Sequence, residues 1–189
     1  MLTLNFPSFP VLATQRLTLR EHTINDAPTL FSMRNNDEVM QYIDREKPKT
    51  VQDSERAIAL MADYYLQDKN LVWAIALKEQ PDLMIGSIGY YRTDFANYRA
   101  EIGYMLMPDY WRQGIIAEVL KNAISFGFEE MKLHSISANI NPGNNPSRQI
   151  LLKHNFVREA YFREDYYFNG KFLDSEIYSL LQKDITWKK

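Results

Sequence analysis

Glu101-Ile-Gly-Tyr-Met-Leu-Met-Pro-Asp-Tyr-Trp-Arg-Gln-Gly-Ile-Ile-Ala-Glu118 reads as a strand that turns abruptly into a helix. Ala100 to Met107 has strand character and Pro108-Asp109 stops it. From about Gly114 to Glu130 the apolar residues Ile116, Val119, Leu120, Ala123 and Ile124 recur at helical spacing, with Glu118, Lys121, Asn122 and Glu129 outside that stripe. A helix that begins this way offers unpaired backbone N–H groups and the positive end of its dipole at one point, which attracts phosphate. Gly114 has no side chain to block an anion there, and Arg112 and Gln113 add charge and donors. The plainer alternative is that Gly114 permits a tight loop and Arg112 is a solvated charge.

Outward from this unit, Arg16-Leu17-Thr18-Leu19-Arg20 alternates as a half-buried strand does. Asn25 or Asp26 then caps a helix broken near Asn35-Asn36, a region that looks like a cover. Thr50 with Asp53 has the form of a capping box for a helix to about Gln67. Leu71 to Leu77 and Met84 to Tyr91, separated by Glu79-Gln80-Pro81-Asp82, predict an antiparallel pair. His134 to Ile140 is a further strand and Ser147 to His154 a short helix. Phe156 to Phe168 and Lys171 to Leu181 form a hairpin around Asn169-Gly170. The order is mixed, with antiparallel strands first and a strand-helix-strand unit in the middle.

A chain of 189 residues, 46% hydrophobic and 24% charged, suits one domain over residues 1–189. With 22 basic and 24 acidic residues it has no field to draw it to nucleic acid or an anionic membrane, so an anionic ligand must be held locally. The absence of cysteine removes disulfides, thiolate metal sites and a cysteine nucleophile. His22, His134 and His154 lack metal-ligand spacing, so no metal is assigned. No secretory signal and no apolar stretch of roughly 18 residues is present, which makes a cytoplasmic protein the expectation. Gly86-Ser87-Ile88-Gly89 is not a nucleophile elbow, because Ile85 stands where that motif needs glycine. The aromatic tail from Tyr161 to Phe172 fits strand packing better than base stacking, since no basic groove accompanies it.

Tyr110 to Glu118, preceded by Ala100-Glu-Ile-Gly-Tyr104, resembles the coenzyme A motif of the GNAT N-acetyltransferase superfamily, in particular its RimJ/RimL-like branch of ribosomal-protein N-terminal acetyltransferases. Arg16 to Arg20 is similar to the branch's first strand. Asn144-Asn-Pro-Ser147 and Lys153-His-Asn-Phe156 resemble its Asn-x-x-Ser helix leading to Lys-x-Gly-Phe. The likeness covers about residues 13 to 184. It implies an α/β (α+β) fold with a mixed, mostly antiparallel, splayed central sheet of about six to seven strands flanked by helices.

The resemblance further implies acetyl-CoA as cosubstrate, its pyrophosphate gripped by the amides of Arg112, Gln113, Gly114, Ile115, Ile116 and Ala117. Its pantetheine arm would lie along the backbone of Met105, Leu106 and Met107 and be reached by Asn144. Glu101 would be the base and Ser147 the acid, acting on an amine acceptor such as a protein N-terminus in a ternary complex. Glu101 is otherwise a solvated strand charge and Ser147 a helix-start residue. Three positions depart from the family pattern. Leu151 replaces the commoner catalytic tyrosine, Asn155 replaces glycine, and Ile116 replaces a small residue, so it either faces the core or crowds the phosphate loop. The alternatives carried are a polyamine, sugar-amine or antibiotic acetyltransferase and a non-catalytic acyl-CoA-binding domain, as monomer or homodimer.

Overall fold

The computed structural model describes residues 2–187. One sheet has the order β1-β2-β3-β4-β5-β6-β8-β7. Its strands are β1 (Leu12–Ala13), β2 (Leu17–Arg20), β3 (Leu71–Leu77), β4 (Gln80–Asp94), β5 (Arg99–Leu106), β6 (Ser135–Ile140), β7 (Val157–Phe168) and β8 (Lys171–Leu181). The helices are α1 (Ala27–Asn35), α2 (Asp37–Met40), α3 (Val51–Leu66), α4 (Ile115–Glu129) and α5 (Asn145–Lys153). Every neighbouring pair is antiparallel except β5 with β6. That parallel pair joins only Arg99–Ser135, Ala100–Ile136 and Glu101–Ser137, after which the two strands part.

Both faces of the sheet are covered, which is why β3 is an unbroken apolar run rather than an alternating one. Trp73 and Ile75 face a core completed by Val119, Leu120, Ala123, Ile124 and Phe126 of α4. Ala74 and Met84 face the other way, against Leu30 and Met33 of α1 and Ile58 of α3. Each fully buried Leu, Ile or Val contributes about 1.5–3 kcal/mol, so the apolar stripe of α4 outweighs any helix propensity in fixing it. Asn36 ends α1 and caps α2 through its side chain, which accepts from the amides of Glu38 and Val39. The Thr50–Asp53 capping box opens α3 as its spacing predicts. Asn169 and Gly170, at φ 47 and 80, make the hairpin turn.

Three boundaries differ from the sequence expectation. An eighth strand, β1, lies in the N-terminal segment that has no strand pattern, and two residues are too few to show one. β4 starts at Gln80, inside the expected turn, because the pairing jumps from Leu77–Gln80 to Ala76–Met84. Pro81, which has no N–H to give a ladder, sits in that irregularity. Helix α5 starts at Asn145 rather than Ser147, capped by the Asn144 side chain on the Ser147 amide at 3.1 Å. Among the described residues no helix is long and apolar enough to cross a membrane.

Candidate active site

Gly114 caps α4 in the left-handed conformation, with φ 75, and Arg112 two residues before it is also left-handed, with φ 58. The first helical bond of α4 runs from the Glu118 amide to the Gly114 carbonyl at 3.0 Å. None of the amides from Arg112 to Ala117 donates to a protein acceptor among the described residues, and no side chain caps the helix. These orphan donors and the helix dipole converge on an exposed loop, the arrangement that holds an anion. The Arg112 side chain is exposed and unpaired among the described residues, while Gln113 donates to the Asp109 carbonyl at 2.9 Å. Ile115 is buried, and the partly buried Ile116 packs against the core.

Arg16 braces this loop, a role its place in an alternating strand pattern does not reveal. Its guanidinium donates to the Gln113 carbonyl at 3.0 Å and to Glu118 at 2.8 Å. Glu118 also accepts from the Arg16 amide at 3.0 Å and the Thr14 hydroxyl at 2.5 Å. Burial works against the Glu118 charge, yet these donors outweigh it and hold the carboxyl below its usual range. His154, at the end of α5, bridges to the first turn of α4, its ring nitrogens 2.8 Å from the Ile150 carbonyl and 3.0 Å from that of Ala117. Asn155 is left-handed at φ 65, and the Phe156 amide reaches the Leu151 carbonyl at 3.1 Å, so asparagine serves the helix end where the family pattern has glycine.

The parting of β5 from β6 leaves one edge of β5 open beyond Glu101. Not all of Met105 to Met107 faces that gap. The Met107 amide turns back to the Ile85 carbonyl at 2.9 Å, and Met105, two residues before it, points the same way by strand alternation. The groups facing the gap are therefore those of Tyr104 and Leu106, and the Leu106 carbonyl already accepts from the Trp111 indole at 2.8 Å.

Glu101 stands where the strands separate, half-buried, with one oxygen 2.9 Å from Arg92. Arg92 is largely exposed, so this pair is a weak tether. Ser147 is buried and is not the helix cap. Its hydroxyl lies 2.7 Å from that of Tyr104. Burial pushes the Tyr104 hydroxyl up to about 12, partly opposed by the bond to Ser147. Tyr104 belongs to the opening motif, yet nothing in the motif assigns it a partner on α5. Glu101 and Tyr104 are three apart on a regular strand, so they face opposite sides of the sheet at the mouth of the gap. The geometry offers a carboxylate on one face and a protonated hydroxyl pair on the other. Asp174 is engaged within the β7–β8 hairpin by the Tyr161 hydroxyl and the Glu164 amide.

Residues 16–157 match the family model described as an acetyltransferase (GNAT) domain. The chain is 34% identical over 174 residues to the uncharacterized N-acetyltransferase YoaA of Bacillus subtilis (strain 168), covering 92% of this chain and 98% of that protein. A GNAT-family acetyltransferase from Bacillus anthracis has a crystal structure similar at TM-score 0.80 and 26% identity, covering 92% of this chain and 99% of that one. The Mycobacterium smegmatis RimJ structure in complex with CoA-disulfide has the same fold at TM-score 0.84 and 19% identity, covering 94% and 90% of the two chains.

Proposed function

Because the chain belongs to the GNAT acetyltransferase family and is an acyl-CoA-dependent acetyltransferase, we propose that it acetylates a primary amine, a protein N-terminal α-amine or a small amine, by direct attack in a ternary complex. The observation that carries this reading is the opening between β5 and β6 directly after Glu101, with the unused amides of Arg112 to Ala117 beyond its end. In this reading those amides hold the pyrophosphate of acetyl-CoA, and the outward backbone of Tyr104 and Leu106 pairs with the pantetheine arm. Asn144, whose carboxamide oxygen caps α5, keeps its NH2 for the same arm.

Glu101 takes the proton that the amine must lose, directly or through water, from the face it shares with Tyr91. The nitrogen attacks the thioester carbonyl, the C–S bond breaks, and the departing sulfur takes a proton from the Ser147–Tyr104 pair on the other face. Donor and acceptor of the proton are thus kept apart by the strand.

Purified protein with acetyl-CoA and a panel of amines, followed by free-thiol release, tests this proposal. The chain contains no cysteine, so every thiol detected comes from the cosubstrate. Glu101→Gln is expected to lower kcat by roughly 10²-fold while leaving acetyl-CoA affinity unchanged. Tight acetyl-CoA binding without turnover on any amine would assign the chain to a non-catalytic acyl-CoA-binding role.

A further inference from the structure

Arg34, in the last turn of α1, is 7% exposed, and among the described residues no carboxylate lies within ion-pair distance of its guanidinium. Its Nε is fully buried without a hydrogen-bond partner. The other two arginines withdrawn from solvent are fully engaged. Arg20 makes two bonds of 2.8 Å to Asp26, and Arg148 reaches Glu176 at 3.0 Å. A buried cation without an anion is costly, and a folded protein rarely keeps one that nothing satisfies.

The surroundings sharpen the imbalance. The charged and titratable groups coupled to Arg34 are a second cation, Arg45, the Tyr91 hydroxyl and His22, and none of them supplies an anion at neutral pH. Burial, then Arg45, pulls the guanidinium down to about 10, so it is still charged at neutral pH. Of the carboxylates in neighbouring segments, Asp37 takes Lys47, Asp44 takes the Tyr166 hydroxyl and Glu101 takes Arg92, while Glu38 and Glu46 are exposed and make no ion pair with Arg34.

This position belongs to the face of the sheet that carries Glu101. Tyr91 is the direct cross-strand neighbour of Glu101, and its ring covers Gly103, where a Cβ would stand 3.3 Å from it. The segment that follows α2 is strapped over the same side. Tyr42 lies against Gly143 so closely that a Cβ there would be 3.0 Å from the ring, and the Pro48 carbonyl accepts from Asn35 at 3.1 Å. Arg45 is carried by this strap, between Asp44, bound to Tyr166, and Pro48.

We propose that Arg34, with Arg45 beside it, receives a carboxylate of the acceptor, so that the substrate is an amine that also bears an anionic group and not a polycation. The inference rests on the acetyltransferase reading of Glu101. It divides the acceptor between two poles, with the amine at Glu101 and the carboxylate at the Arg34 guanidinium, whose planar fork suits that partner. A polyamine brought to the same place would meet two like charges.

The test compares the peptide Ser-Asp-Glu-Ala, free glutamate and spermidine as acceptors for the full chain, by initial rates and by calorimetry on the CoA-loaded protein. The carboxylate-bearing amines are expected to be preferred, and the better of the two distinguishes a peptide from an amino acid. Arg34→Gln should raise KM for them by about tenfold or more, with Arg34→Lys intermediate and the KM for acetyl-CoA unchanged. Arg45→Ala, at an exposed side chain, should weaken them by a few-fold and serves if Arg34→Gln does not fold. A preference for spermidine, or an Arg34→Gln effect confined to acetyl-CoA, would overturn the proposal. If no amine is turned over, the catalytic reading fails, and calorimetry alone decides this one: peptide binding lost in Arg34→Gln supports it, and equal or absent binding ends it.

Discussion

The Tyr104 and Ser147 hydroxyls, 43 residues apart in the chain, stand 2.7 Å from each other where β5 meets α5. With Leu151 fully buried in the core at the family's tyrosine position, this pair is the phenol and alcohol available on that face. Tyr104→Phe keeps the ring and removes the proton. It is expected to reduce kcat roughly 10- to 100-fold with acetyl-CoA affinity held, and Ser147→Ala should do the same. Because the Tyr104 hydroxyl is held near 12, it stays protonated through neutral pH, so its loss should add no new ionisation to the rate profile below roughly pH 10. Unchanged kcat in both variants would leave protonation of the sulfur to water.

Gly114→Val tests the anion cradle. A Cβ at this position would stand 3.8 Å from the nearest atom outside its chain neighbours, on Arg16, so the fold has room for it. The left-handed φ of 75 costs a branched residue about 1–2 kcal/mol. CoA affinity, measured by calorimetry, should fall at least about tenfold because the side chain covers the amides that follow. An unaltered dissociation constant would move the pyrophosphate elsewhere.

His22 makes acid stability predictable. Burial, chiefly, lowers its pKa from 6.5 to about 4, with Asp26 opposing and Arg20 and Arg34 assisting. Its Nε2 lies 3.2 Å from the Ser87 hydroxyl, and Nδ1 has no partner. The folded state binds this proton less readily than the unfolded chain, so the stability it supports is present above 6.5 and lost as pH falls toward 4. The loss should be on the order of 3 kcal/mol. Denaturant midpoints across that range should flatten in His22→Gln; an equal slope in both proteins would assign the acid sensitivity to other groups.

Gly127→Ala should destabilise the protein although alanine is the better helix former. A Cβ at this buried point of α4 would lie 2.3 Å from the Tyr90 hydroxyl, which donates to the Ala123 carbonyl at 2.8 Å. The overlap should cost about 1–3 kcal/mol in urea unfolding, and Tyr90→Phe in the same chain should recover part of it. A Gly127→Ala protein as stable as the parent would mean that Tyr90 repacks freely.

The elements with a repeating signal are legible in the sequence. The stripe of α4, the Thr50–Asp53 capping box and the Asn169–Gly170 turn each state their conformation within a few residues. Gly114 also announces its left-handed cap, because few residues besides glycine take that conformation cheaply. What resists reading is contact between distant segments. The pairing of Tyr104 with Ser147, the bracing of Gln113 by Arg16 and the isolation of Arg34 arise only when strands and helices are brought together. Arg34 shows the difficulty most plainly, since in the chain it is an ordinary polar position near a helix end and only burial makes it exceptional. The phase of β5 is a subtler case. Resemblance marks residues 105 to 107 alike, whereas the strand's pairing with β4 turns alternate residues inward.

The short junction of β5 with β6, on the proposed reading, would link folding to metabolism. Three residue pairs hold the two halves of the sheet at that seam, and beyond them the strands diverge. On that reading, the acyl-CoA arm that fills the gap would bind only the folded chain and complete the sheet. At a free concentration 100 times its dissociation constant, such a ligand adds about 2.7 kcal/mol to the stability of the whole. The survival of this protein in a cell would then follow the acyl-CoA supply, and a shortage of acetyl donor would remove the catalyst along with its reaction.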